Sequence, residues 1–255
     1  MGINGFFDRS LKAALDCRAV WPPVLTPIQL GDYGVMVGDG FRRLGNVADF
    51  GLSFRTERGP PSRLDLASAD VRVTRFASGV QVPAFQGLGD VSARVSIEFG
   101  RGESFVCKCA RVERAHIADL GGLARRLHAV RTADGQAWRP LPWRLVWQLY
   151  TGQDVLFLAA STAGTRVELG GSAQLLHQLD AASGTAGLSV QRGTGLGLEI
   201  VGASGPIGFD LARVRLLGGV KFFSDEDGRD DEDDWVERLP ADADPGDETI
   251  AADEP

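Results

Sequence analysis

No apolar run in these 255 residues approaches the roughly 18–20 that a membrane-spanning helix needs. The start lacks the charged-then-apolar pattern of a signal peptide. Phe6 stands where a myristoylation signal wants Ser or Thr. These absences lead us to expect a cytoplasmic chain. Cysteines are few and odd in number (Cys17, Cys107 and Cys109), which suits a reducing compartment. Cys107 and Cys109 form C-x-C on one strand face and read as two small, half-buried residues. The three histidines, His116, His128 and His177, sit at no metal-ligand spacing. Gly202-Ala203-Ser204-Gly205-Pro206 fails as a nucleophile elbow at its last position. There is no Walker loop and no dinucleotide fingerprint, and the carboxylates outside the C-terminus are too scattered to nominate an acid–base pair. The chain therefore carries no enzyme signature, and no cofactor or metal is expected. Arg42-Arg43 and Arg125-Arg126 lack interleaved aromatics, so they read as solvated surface and not as a nucleic-acid site.

One glycine-rich stretch invites a catalytic reading. Residues 192–201, RGTGLGLEIV, resemble the glycine box of histidine-kinase-type ATPases. Such a box needs a helix directly after it, but GASGPIG follows and breaks any helix. It also needs an upstream asparagine-bearing helix, and the only asparagines are Asn4 and Asn46. Leu196, Leu198 and Ile200 alternate with Gly195, Gly197 and Glu199, which is strand periodicity, with RGTG as a turn.

The strongest compositional feature is a split in charge. Residues 224–255 carry 15 Asp and Glu against Arg229 and Arg238, a net −13. The remaining residues carry 25 Lys and Arg against 19 acids, a net +6. The boundary suggests a body, 1–223, and an acidic tail, 224–255. The tail is either a solvated disordered segment or a removable electrostatic cover.

Residues 5–17 read as a short amphipathic helix, with Phe7, Leu11, Ala14 and Leu15 on one face. The prolines of VWPPVLTPIQLGDYG permit only edge or irregular extended structure. FGLSFR alternates through Phe50, Leu52 and Phe54, and RGPPS marks a turn. Residues 91–112 have the clearest pattern. Val91, Ala93, Val95, Ile97 and Phe99 alternate with polar residues, GRGE turns the chain, and residues 104–112, with Phe105 and Val106, return. This predicts a long β-hairpin. A helix is expected over 114–130, weakened by Gly121 and Gly122. Residues 143–149 alternate as a strand. DVLFLAAS, with Leu156 and Leu158, is expected to pair with TRVEL, with Val167, around TAG. SAQLLHQLDAA is a short helix. AGLSVQ, with Leu188 and Val190, and LGLEIV are expected to pair across RGTG, and GFDLARVRLL closes the body as a strand. The fold class is α+β, with a twisted, largely antiparallel central sheet and flanking helices.

Two nine-residue strands are long against a typical five to six, and nine to eleven is the length of a transmembrane β-strand. One apolar and one polar face suit lipid on one side and lumen on the other. A lone hairpin leaves its edges unpaired in hydrocarbon, so only a ring of many subunits satisfies them. A soluble sheet with one buried face fits the same pattern. The alternative function is therefore a non-catalytic, β-rich binding module with a regulatory acidic tail.

Four stretches carry a family resemblance: the N-terminal helix leading into VLTPIQLGDYGVM, the segment 91–130, WRLVWQLYTGQDVLFLAASTAGTRVEL, and GPIGFDLARVRLL. Together they span about residues 5–220, and the chain resembles a short bacterial gasdermin. The resemblance implies a gasdermin N-terminal-domain-like fold and a pore-forming activity. The intact chain would be an autoinhibited cytoplasmic monomer. A partner protease would remove the C-terminal peptide, and the body would bind anionic lipids of the inner membrane. It would then assemble as a homo-oligomer and insert two hairpins per subunit, killing the cell in anti-phage defence. The membrane-inserting residues would be Val91, Ala93, Val95, Ile97, Phe99, Phe105, Val106, Leu156, Leu158, Val167, Leu188, Val190, Leu196, Leu198 and Ile200. Many bacterial relatives carry an acylated cysteine at position 3 or 4; here Ile3 and Asn4 stand there, leaving Phe6, Phe7 and Leu11 of the first helix to contact the membrane. Trp235, Val236 and Leu239 form an apolar cluster in the tail suited to anchor inhibition, and Arg229 and Arg238 are the cleavage candidates.

Overall fold

Phe7 and Leu11, four residues apart, share one face of helix α1 (Ile3–Leu15), and both are fully buried. Asp16 ends the helix in the left-handed conformation, its N–H donating to the Lys12 carbonyl. Asp8 Oδ1 accepts from the Ala19 N–H at 2.7 Å and so holds the chain leaving the helix. The computed structural model describes residues 2–38, 40–84, 86, 88, 91–133, 143–173, 176–177, 189–194, 196–214 and 220–222. The chain divides into two units, Met1–Lys221 and Phe222–Pro255, and the helices and both sheets described here belong to the first.

The strands in chain order are β1 (Arg18–Ala19), β2 (Asp32–Val37), β3 (Gly40–Asn46), β4 (Thr56–Arg58), β5 (Ser62–Ala67), β6 (Val71–Ala77) and β7 (Val80–Val82). Then come β8 (Ser92–Phe99), β9 (Ser104–Ile117), helix α2 (Leu120–Ala133), β10 (Arg144–Ala160), β11 (Thr165–Ser172), β12 (Ser189–Thr194), β13 (Leu196–Val214) and the short β14 (Val220–Phe222), which pairs with β13. The result is a mixed α+β fold with antiparallel pairing, as expected. It has two sheets, however, in place of one central sheet.

In the larger sheet β5, β9, β10 and β13 are successive neighbours. In the smaller sheet β6, β8, β11 and β12 are successive neighbours. The order of these four is the same in both, and β5, β8 and β10 run through short connections into their counterparts β6, β9 and β11. The crossings are residues 68–70, 100–103 and 161–164. Four neighbouring strands of the nine-stranded larger sheet and four of the five-stranded smaller one are thus a single ribbon of strands folded over at a corner. Strands that switch sheets at such a bend are a known way of making sandwich corners.

This overturns the three expected hairpins. Residues 92–99 and 104–112 do not pair with each other; β8 lies between β6 and β11, and β9 between β5 and β10. Likewise β10 pairs with β9 and β13, whereas β11 pairs with β8 and β12. RGTG is not a hairpin turn, because Arg192–Thr194 belong to β12 in the smaller sheet and β13 lies in the larger. A tight turn between alternating strands fits a hairpin and a corner equally well. What selects the corner is the burial of an apolar face between the two layers. Val95, Ile97, Phe99, Val167 and Leu169 from the smaller sheet cluster with Val106, Leu156, Leu158 and Ala160 from the larger. Helix α1 covers the opposite face of the larger sheet, with Phe7 edge-on to Phe105 (5.4 Å) and Phe157 (5.0 Å). The larger sheet is therefore a middle layer, buried on both sides.

Other expectations also shift. Residues 114–117 are strand, because they pair with both β4 and β10, and Asp119 caps α2 by accepting from the Gly122 N–H at 2.9 Å. Phe50 ends a short 3-10 turn (Val47–Phe50); Leu52 and Phe54 follow in irregular chain, and all three pack against the cluster that Leu123 and Leu127 of α2 form with Ile117 and Leu145, and not in a strand. LGLEIV and GFDLARV form one strand, β13, whose GASGPIG interior is absorbed by register shifts against β10 between Tyr150 and Leu156. Of SAQLLHQLDAA, residues 173 and 176–177 are helical and 174–175 and 178–182 lie outside the described residues.

Candidate functional site

The smaller sheet presents two unlike faces. The face turned to the larger sheet carries Ala93, Val95, Ile97, Phe99, Val167 and Leu169, all buried. The opposite face is a charged ladder in cross-strand register: Arg72 faces Glu98, which faces Arg166; Thr74 faces Ser96, which faces Glu168; Phe76 faces Arg94. Arg166 pairs with Glu98 at 3.1 Å, and Arg94 with Glu168 at 3.8 Å. The Arg94 guanidinium also lies 4.8 Å above the Phe76 ring. Exposed pairs of this kind contribute about 0–1 kcal/mol each. Their consequence is a surface that stays hydrated, not one that holds the fold together.

The corner is where one face turns into the other. Asp70 Oδ2 accepts two hydrogen bonds there, from the Arg101 N–H at 2.7 Å and the Ser104 hydroxyl at 2.7 Å. The Asp70 carbonyl accepts from the Gly100 N–H at 3.1 Å. Ser68 Oγ accepts from the Phe105 N–H at 3.0 Å. Burial alone would raise the Asp70 carboxyl. The hydrogen bonds from Ser104, from its own backbone and from Arg101 more than offset this and hold it below the usual carboxylate range. On the next connection the Glu103 N–H donates to the Ala160 carbonyl at 2.8 Å, with Glu103 held at φ 64°.

At the far end of the larger sheet a second polar cluster fixes the end of α1. Gln148 Nε2 donates to Asp210 Oδ2 at 2.6 Å and contacts the Tyr150 hydroxyl at 2.8 Å. That hydroxyl donates to the Leu15 carbonyl at 3.0 Å. Burial pushes Asp210 up to about 6, against the bond from Gln148, and neighbouring Asp16 adds to the rise. Burial and the Asp210 charge push Tyr150 up to about 12. Cys17 is buried against Gly208, and burial pushes its thiol well above the ordinary range, with Asp210 adding to the shift. In this form it is a poor nucleophile.

The expected membrane-inserting residues separate into two groups. Ala93, Val95, Ile97, Phe99, Val106, Leu156, Leu158 and Val167 line the space between the sheets, with Leu196 packed against them. Phe105 and Ile200 lie on the opposite face of the larger sheet under α1, with Leu198 packed against them. A single apolar face running through all of them is therefore not what the fold contains. Val91 is partly exposed beside β8. Val190 lies in β12, and Leu188 falls outside the described residues. Of the three helix residues expected at a membrane, Phe6 is 40% exposed, whereas Phe7 and Leu11 are fully buried against the sheet and do not face outward. Trp235, Val236, Leu239, Arg229 and Arg238 all lie outside the described residues.

The corner residues Ser68 and Asp70 and the Asp210 cluster were missed by sequence reasoning. Ser-Ala-Asp between two strand-like runs was the available signal, since both residue types bond to nearby backbone in turns. Among the described residues no group of three metal-ligating side chains converges. No described helix is long and apolar enough to cross a membrane. The chain matches no known family, no curated protein and no solved structure.

Proposed function

We propose that the chain is an autoinhibited pore-forming protein of gasdermin type, in which the smaller sheet swings out from the larger and enters a lipid bilayer. The observation that carries this reading is the folded-over sheet with one dry face and one charge-laddered face. Straightened at the corner, the smaller sheet would present the dry face to lipid and the ladder to an aqueous lumen. β8 and β11 have eight residues each, about 26 Å along the strand, so each would draw one or more flanking residues into the nine to eleven of a tilted membrane strand. Arg75 lies opposite Val95 on the apolar side, towards the tip of β6, where a charge near an interface is tolerated best. The larger sheet would stay a packed layer under α1. Edge strands left by the opening would be satisfied by neighbouring copies in a ring.

Removal of the tail is the proposed trigger. It would convert a chain of net charge −7 into a body of net charge +6. Each basic residue near an anionic leaflet contributes on the order of 1 kcal/mol, so several hold the body at the surface. Trp235, Val236 and Leu239 are the proposed anchor of inhibition, and a protease cutting at Arg229 or Arg238 would be the activator. Anionic inner-membrane lipids and further copies of the chain are the remaining partners, and no catalytic step is involved. The test compares residues 1–223 with residues 1–255. The shorter chain is expected to arrest cell growth and release dye from anionic vesicles, and the full chain to do neither. A shorter chain that leaves vesicles sealed would favour the binding-module reading, in which the charged ladder is a recognition surface.

A further inference from the structure

In a straight antiparallel pair, the N–H groups of Arg101 and Phe105 would bond to carbonyls of the neighbouring strand. At the corner that ladder is interrupted, and side-chain oxygens take the place of the missing carbonyls: Asp70 Oδ2 for Arg101 and Ser68 Oγ for Phe105. Asp70 also binds the Ser104 hydroxyl, so one carboxylate oxygen bridges both ends of the connection between β8 and β9. Gly100 allows the close approach this needs, since a Cβ there would sit 3.1 Å from the Asp70 carbonyl oxygen. These bonds exist only while the chain is bent. In the straightened sheet the ladder would reform and the side-chain bonds would be redundant.

From this geometry we infer that Asp70 is the clasp that keeps the smaller sheet closed over the larger, acting locally at the corner and not through the stability of the whole fold. The inference concerns the intact chain and does not depend on any encounter with a membrane. Asp70 is a positioning residue, so its test must separate local opening from global unfolding, and the fold supplies an internal reference. Ala93 is buried between the two sheets, whereas Cys107 is buried on the other face of the larger sheet, beneath α1. Opening at the corner would expose the first position and leave the second covered.

The experiment measures thiol-labelling rates by mass spectrometry in the full chain carrying Ala93→Cys, with and without Asp70→Ala. The thiol introduced at position 93 is expected to react about tenfold faster when Asp70 is removed, while Cys107 keeps its rate; tenfold is on the order of one charge-assisted hydrogen bond. Asp70→Asn, which keeps an acceptor oxygen but loses the charge, is expected to fall between the two. An unchanged rate at position 93, or an equal acceleration at Cys107, overturns the clasp. If Asp70→Ala does not fold, Ser104→Ala removes one of the two bonds and is judged by the same comparison, with an expected change of about threefold.

Discussion

Asp210 lies where β13 meets β10 and the end of α1, and its environment works against its charge. Its carboxyl rises from an ordinary 3.8 to about 6 in the fold. A raised carboxyl binds its proton more tightly folded than unfolded. Its stabilisation is therefore complete below about pH 4 and is lost as pH climbs through 6. A shift of that size corresponds to about 3 kcal/mol at most, and partial exposure reduces it to about 1–2 kcal/mol. Urea unfolding of the protein and of Asp210→Asn at pH 4 and pH 7.5 checks this. The stability of the native chain relative to the variant is expected to fall between the two pH values, and a difference independent of pH would refute it. Gly208 poses a steric question at the same junction. A Cβ there would meet Cys17 Sγ at 2.5 Å, Leu11 Cδ2 at 3.0 Å and the Arg18 carbonyl oxygen at 3.1 Å. Gly208→Ala is expected to push α1 off the sheet and cost about 1–3 kcal/mol, read as a lowered urea midpoint.

At the scale of elements, the two faces of the smaller sheet predict opposite sensitivities. Ile97 is buried between the layers, and Ile97→Ala is expected to cost about 2–4 kcal/mol. Glu98, its neighbour in β8, pairs only at the surface, so Glu98→Gln is expected to cost under about 1 kcal/mol. Thermal unfolding of the two variants checks the contrast. The period-two pattern of β8 was legible in the sequence, because one face is wet. The partner of β8 was not legible, since periodicity specifies which face is buried and not what buries it. A finer signal was present in VLFLAA, residues 155–160, an unbroken apolar run that is buried throughout. Continuous apolar character marks a strand covered on both faces. Its change to alternation in TRVEL, across four residues, is what a crossing from a middle layer to an outer one looks like. The helix α1 and the irregular proline-rich segment after it were legible for simpler reasons: side-chain spacing in one case and missing N–H donors in the other.

For the whole molecule, the account rests on one sheet existing in two shapes. The bent shape hides Ala93, Val95, Ile97, Phe99, Val167 and Leu169 of the smaller sheet's inner face. The straight shape would exchange the smaller sheet's protein core for lipid, while Val106, Leu156, Leu158 and Ala160 of the larger sheet would lose their cover, so the switch would need lipid or neighbouring copies to favour the straight shape. On the proposed reading, the acidic tail and basic body would supply a trigger in charge, and the corner the place where the sheet bends. The most direct test places an environment-sensitive fluorophore at each position from 93 to 98 in residues 1–223, with the native cysteines replaced, and adds anionic vesicles. The account predicts an alternation: lipid-phase quenchers reach the probe at 93, 95 and 97, and aqueous quenchers reach it at 94, 96 and 98. A probe that meets no lipid-phase quencher at any of the six positions would contradict it.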